Sequence, residues 1–380
     1  MKIEPFKISI PQAKIDALHA RLNNTNWAPE LHNEDWSSGV NGTYLREFTS
    51  YWKENFDWRA QEAKMNGFPQ FRTEIDGVPI HFIHLKGKGE NCVPIILNHG
   101  WPWTFWDFKD VIRELADGGE GEHSFDVVVP SLPGFCFSGP VKKSVGYAET
   151  AALWVKLMKG LGYSKFITHG GDAGAFVSAR LGHEFPDTIL GVHLSFPVLP
   201  GVAHESDPAD FTSEELALAK RQERGPGAFV HVLINAFDPQ TLAWGIHDSP
   251  VGLAAWLLLR RRAWSDCNGD VETKFDRDTL LTHVSLYWFT NCFIGSQLFC
   301  KASEFVRPME LVNKRKPAIS VPTAVAILPK DLMCKPRKVV ERHCDLRQWT
   351  GFPSGGHFGA AEEPERMVGD IRRFVRGLRG

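Results

Sequence analysis

Tyrosine is scarce in this chain, with five among 380 residues against 26 phenylalanines and 13 tryptophans. The phenols can therefore be placed one by one: Tyr44, Tyr51, Tyr147, Tyr163 and Tyr287. Cysteine is also sparse. Seven residues, an odd number without CxxC or metal-ligand spacing, exclude a disulfide framework and a zinc cluster. They fit free thiols in a reducing cytoplasm. Long apolar runs are missing, since no window approaches the ~20 apolar residues that would span a bilayer. The N-terminus, MKIEPFKISIPQAKIDALHARL, is interrupted by charge and does not read as a signal peptide. A formal net charge of −2 gives no electrostatic reason for a nucleic-acid or anionic-membrane partner. Internal repeats and low-complexity tracts are absent. The expectation is a cytoplasmic globular protein with no membrane anchor, no metal and no cofactor. Composition leaves a homodimer open, and its aromatic richness suits an apolar pocket as well as a core.

The order of patterns along the chain predicts its organisation. Residues 1–70 are polar and helix-rich. IPQAKIDALHARLNNTNW carries Ile10, Ile15, Leu18 and Leu22 at helical spacing, and LREFTSYWKENFDWRAQEAKMN reads as a second helix. FRTEIDGVPIHFIHLKG then reads as a hairpin around Asp76-Gly77. VPIILNHGW, FDVVVPSLPGFCFS, KFITHGGD and TILGVHLSF read as strands that alternate with helices. That alternation predicts a mostly parallel sheet with helices on both faces, over 71–198. Between 199 and 316 the strands stop and helical segments dominate, among them VGLAAWLLLRRRAW and DTLLTHVSLYWFTNCFIGSQLFCKASEF. This predicts an inserted helical lid. Residues 317–380 return to the sheet through VPTAVAILPKD and close on an amphipathic helix.

One turn carries the chemistry. THGGDAGAFVS, residues 168–178, passes from strand to helix through small residues, with Asp172 at its tip. A strained, glycine-lined turn of this kind is the nucleophile elbow of α/β-hydrolases, where a serine is usual. Asp331 follows the strand TAVAILP, and His357 lies in the glycine-rich SGGHFG loop. Nucleophile, acid, histidine is the chain order of that fold. Taken singly, Asp331 reads as a turn residue and His357 as a satisfied histidine. Their order and positions favour a joint role. The HGWP loop after an early strand would supply one oxyanion-hole amide, from Trp101. The residue after the nucleophile, Ala173, would supply the other.

An aspartate here implies different chemistry from a serine. It is ionised at neutral pH and attacks sp³ carbon by displacement, forming an ester on its own carboxyl carbon. His357 would then activate water to cleave that ester, with Asp331 orienting the imidazole. Epoxides and alkyl halides are the electrophiles that suit this scheme.

At this point the chain resembles the microsomal-type epoxide hydrolases that carry an N-terminal extension. The resemblance covers nearly the whole chain through NHGWP (98–102), VVVPSLPGFCFS (127–138), HGGDAG (169–174), DPQTLAWGIHDSPVGLAAW (238–256), LLTHVSLYW (280–288), VPTAVAILPKDL (321–332) and GGHFGAAEEPE (355–365). It implies an α/β-hydrolase core, a helical lid, an N-terminal meander and cofactor-free conversion of an epoxide to a vicinal diol. With it goes a role in detoxification or secondary metabolism, and the aromatic content suggests a small apolar or aromatic epoxide as substrate. Carried over by residue, the resemblance makes Asp172 the nucleophile, Asp331 the acid and His357 the base.

Three departures stand out. Ala173 replaces the tryptophan of the usual GGDWG, and Cys136 stands where glycine is common. Above all, the family uses two lid tyrosines to hold the epoxide oxygen, and neither is present at the expected place. The first position, eight residues before Pro239, is His231. The second is Cys300, in GSQLFCKA. A histidine can donate an N–H, although His231 also reads as a satisfied core residue. The Cys300 thiol is a weak donor and reads more readily as a small buried apolar group. Loss of the phenols keeps two alternatives open. One is an Asp-nucleophile dehalogenase, whose halide needs N–H donors such as indoles. The other is a non-catalytic binding protein on a hydrolase fold.

Overall fold

A continuous apolar strand such as FDVVVP is stable only when both faces are covered, and here all six of its residues are buried. The molecule, a computed structural model, is described for residues 1–89, 91–119, 123–204, 206–223 and 226–378. Its described strands form one sheet: β1 (Glu4–Phe6), β2 (Gln70–Ile75), β3 (Val78–Leu85), β4 (Val93–Asn98), β5 (Phe125–Pro130), β6 (Phe166–Gly170), β7 (Ile189–Leu194), β8 (Ile319–Ile327) and β9 (Cys344–Gly351). The spatial order is β1-β2-β3-β5-β4-β6-β7-β8-β9. The pairs from β1 to β5 through β2 and β3 are antiparallel, and all later pairs are parallel. This is the α/β-hydrolase architecture. The predicted hairpin is present, with Asp76 at φ 53° and Gly77 at φ 77°, the two positive values that a tight two-residue turn requires.

The N-terminal segment contributes α1 (Gln12–Asn23), α2 (Gly42–Glu54) and α3 (Trp58–Asn66). Helices α4 (Lys109–Asp117), α5 (Tyr147–Gly160) and α6 (Asp172–Glu184) follow within the sheet region. Between β7 and β8 lie α7 (Ser213–Gln222), α8 (Val230–Phe237), α9 (Pro239–Asp248), α10 (Pro250–Trp264), α11 (Arg277–Thr290) and α12 (Phe293–Ser303). The chain ends through α13 (Arg337–His343), α14 (Gly359–Glu362) and α15 (Pro364–Gly377). None of the described helices is long and apolar enough to cross a membrane.

The helix-rich lead-in also carries an edge strand, Glu4–Phe6, that pairs with β2. Three local expectations need correction. The second lead-in helix is two, because the Asp57 side chain caps a new start by accepting from the Ala60 amide. The DTLL…ASEF stretch also divides. Asn291 at φ 52° ends α11, so Cys300 belongs to a separate helix. Finally, the return to the sheet brings two strands rather than one. β9 was hidden because its sequence, CDLRQWTG, is half-exposed and polar.

The helices between β7 and β8 are tied to the N-terminal segment. Arg21 reaches Asp248, the Lys14 ammonium donates to the Phe289 carbonyl at 3.0 Å, and the Tyr51 hydroxyl donates to Asp278 at 3.0 Å. Beneath these helices, the buried carboxylate of Asp107 pairs with Arg261 of α10. The guanidinium lies over both the Phe275 ring, at 4.1 Å, and the Phe358 ring, at 4.0 Å. His283 of α11 meets Thr104 at 2.9 Å. Two lid helices are thereby fixed to the segment that follows β4.

Candidate active site

The carboxyl ends of β4, β6, β8 and β9 meet at one place, where ligands bind in open parallel sheets. β6 ends in Gly170, and Asp172 opens α6 at φ 48°. A non-glycine residue in the left-handed region is costly, and such strain is held where a side chain must be presented at a sharp turn. The neighbours explain the small residues around it. A Cβ on Gly174 would lie 2.0 Å from the Asn98 carbonyl oxygen, and one on Gly100 would lie 2.3 Å from Asp172 Oδ1. The elbow therefore closes only with glycine at both places.

Around Asp172 the partners fall into line. The Trp101 amide donates to Asp172 Oδ1 at 2.6 Å, and the Ala173 amide also reaches this carboxylate. His357 Nε2 faces Asp172 Oδ2 at 3.1 Å, and its Nδ1 faces Asp331 Oδ1 at 2.5 Å. The five residues expected to act together are thus adjacent. Burial by itself raises the Asp172 pKa, but the His357 contacts and the two amides outweigh it and hold the carboxyl below its ordinary value. Burial likewise lowers the His357 pKa. The Asp331 charge and the bonds to both aspartates reverse that and push it up to about 10. In the resting site the imidazole is a cation between two carboxylates.

The walls are aromatic. Trp103, Phe196, Trp264 and Phe358 all stand edge-on to His357, with ring centroids 5.3 to 5.6 Å away. His231 lies inside this enclosure. It is buried, stacks on Trp101 at 5.0 Å and 9°, and has no hydrogen-bond partner at Nδ1. Burial, reinforced by Arg260, lowers its pKa to about 3, so the ring is neutral. Cys300 is buried as well. Desolvation and then the Asp172 charge raise its thiol pKa, so it stays protonated beside the nucleophile. Tyr287, the only lid tyrosine in the sequence, is committed elsewhere, its hydroxyl donating to the Trp103 carbonyl at 3.3 Å.

Two supporting residues escaped the sequence reading. Trp264 ends α10, accepts the His357 amide at 2.8 Å on its carbonyl, and touches His231, Trp101 and His357 with its ring. Glu362 accepts from the amides of Asp266 at 2.7 Å, Gly356 at 2.9 Å and Phe358 at 3.0 Å. Its carboxylate thus ties the histidine loop to the end of α10. The signal for Glu362 was available, a carboxylate five residues after His357 on an otherwise apolar turn. The backbone at Cys136 shows why glycine is common there. It lies at φ 42°, a conformation that favours glycine. Among the described residues no group of three or more His, Cys, Asp or Glu side chains is placed to hold a metal. A separate cavity of about 350 Å³, lined by Trp36, Tyr44, Arg262 and Arg277 among others, touches none of the triad.

Comparison with known proteins gives the family. Residues 3–108 match the epoxide hydrolase N terminus, and residues 93–364 match the alpha/beta hydrolase fold. Epoxide hydrolase 1 of Oryctolagus cuniculus is 33% identical over 98% of this chain and 88% of its own length. The chain belongs to the epoxide hydrolase family. A Stigmatella aurantiaca relative is 36% identical over 99% of this chain and 86% of its own. The epoxide hydrolase structure from Aspergillus niger superposes with a TM-score of 0.87 at 30% identity, covering 100% of this chain and 97% of that one.

Proposed function

We propose that this family member hydrolyses an epoxide to a vicinal diol through a covalent ester on Asp172. The observation that carries the reading is the carboxylate itself. One oxygen is held by the Trp101 amide, and the other faces an imidazole backed by Asp331. Asp172 attacks an oxirane carbon, the C–O bond opens, and His231 donates a hydrogen bond to the departing oxygen in place of a tyrosine. The electron pair ends on that oxygen as an alkoxide, which takes its proton from solvent or from the His357 cation.

Ester formation removes the Asp172 charge that helps to raise the His357 pKa. The neutral imidazole then becomes accessible and takes a proton from water, which attacks the Asp172 carboxyl carbon. The amides of Trp101 and Ala173 hold the resulting oxyanion. Collapse releases the diol and restores the carboxylate.

A single turnover in ¹⁸O-water tests the path. The product is expected to emerge unlabelled, with the heavy oxygen in the peptide that contains Asp172. Label in the first-turnover diol would mean direct attack of water on the oxirane and would remove Asp172 as nucleophile. The indole N–H groups of Trp101 and Trp103 are buried without partners, a feature that favours the halide-leaving alternative. Haloalkanes run in the same assay separate the two substrate classes.

A further inference from the structure

Helix α8 is turned inside out. Its apolar side chains Val230, Leu233 and Phe237 are exposed at 42%, 58% and 71%, while His231 and Asn235 are buried at 8% and 2%. His231 and Asn235 are four residues apart and share the inner face. A helix in water does the reverse unless its inner polar groups have work to do. Asn235 lies beside the Cys300 thiol, and its Oδ1 has no partner. On α12, which packs along α8, Gln297 lies one turn before Cys300 on the same side. Gln297 is completely buried, and neither its Oε1 nor its Nε2 has a partner.

Buried amides are hydrogen-bonded in nearly all folded proteins, and an unpaired one is costly. Two such side chains on packed helices flank Cys300, whose thiol senses the Asp172 charge, and form a polar patch beside the aromatic enclosure. Their inventory is specific. Gln297 Oε1 and Asn235 Oδ1 seek donors, and Gln297 Nε2 seeks an acceptor. A primary carboxamide offers two donors and one acceptor, which meets the three atoms one for one. A hydroxyl meets two of them. A carboxylate offers no donor and leaves both acceptors unpaired.

We infer that Asn235 and Gln297 form a subsite for an uncharged donor–acceptor group, a carboxamide or a hydroxyl, carried by the epoxide substrate beside its oxirane. This rests on the hydrolase reading above and narrows its substrate from an apolar epoxide to an amphiphilic one.

The test is a series of 1,2-epoxyalkanes of increasing length whose far end is a carboxamide, a hydroxyl, a methyl or a carboxylate. At the favoured length the carboxamide or hydroxyl compound is expected to exceed its methyl counterpart at least about tenfold in kcat/KM, with the carboxylate below both. In Gln297→Leu and Asn235→Leu proteins that ratio is expected to fall toward one. Gln297→Leu protein is expected to keep or raise its Tm, because neither polar atom of that amide has a bond to lose in the free protein. Equal efficiency of methyl and polar substrates at every length would overturn the subsite while leaving the hydrolase reading intact. So would a preference for the carboxylate, or a drop in Tm in Gln297→Leu protein without a change in the ratio. Absence of turnover for the entire series, the methyl compounds included, would overturn both.

Discussion

Asp172→Asn protein is expected to lose epoxide turnover by about 10⁴- to 10⁶-fold in kcat/KM, the scale at which a nucleophile acting as part of a unit is missed. The carboxamide keeps the shape of the side chain and can still accept the Trp101 amide, so the elbow geometry persists. What disappears is the anion. An amide is not a nucleophile toward sp³ carbon, and the site holds no second carboxylate in the right place, since Asp331 faces the far side of the imidazole. The loss should come with an unchanged near-ultraviolet circular dichroism spectrum. A residual activity within about a hundredfold of wild type would mean that another group, or water itself, attacks the substrate.

The second large effect concerns acid. His81, His99, His231 and His283 are buried and uncharged, with pKa values lowered to about 3, 4, 3 and 4, above all by loss of solvent. Their unfolded values are near 6.5. Below that pH the unfolded chain binds protons that the native state refuses, so stability is lost as pH falls toward the folded values. Between neutrality and about pH 5 each histidine forfeits about 2 kcal/mol at full burial. Four of them approach the whole stability of an ordinary domain, about 5–15 kcal/mol. His357 acts in the opposite sense. Its folded pKa is raised to about 10, so its contribution is complete below about 6.5 and is lost as pH rises through about 10. Urea midpoints measured across this range should fall on both sides of neutrality, steeply on the acid side. A flat midpoint from neutral to about pH 5 would show that these histidines titrate normally in the native state.

Much of the site was legible because its parts sit at strand ends that the sequence punctuates strongly. The glycines of GGDAG announced a turn, and the strain at Asp172 shows why they are needed. HGWP and SGGHFG were readable for the same reason. What stayed hidden depended on contacts between distant segments. β9 is a polar strand at the edge of the sheet, so it lacked the apolar run that marks β4 to β7. Glu362 stands out locally as a carboxylate on an apolar turn, but its role, through three backbone amides spread from 266 to 358, needs the fold to be seen. The break at Asn291 was missed because both flanking segments are apolar and helical in composition. Only its left-handed backbone separates them. The absence of the lid phenols was plain from composition, whereas the polar face that replaces them emerged only when α8 and α12 were brought together.

The central claim is a covalent ester on Asp172, and the most direct measurement is the intact mass of His357→Gln protein after exposure to an epoxide that the wild type hydrolyses. Ring opening needs the carboxylate and the lid donor, whereas ester hydrolysis needs the imidazole. A stable added mass equal to one intact epoxide is therefore expected, located on the peptide that contains Asp172 and absent when Asp172 is also changed to Asn. Folded His357→Gln protein that remains unmodified while the wild type turns over the same epoxide would contradict that claim.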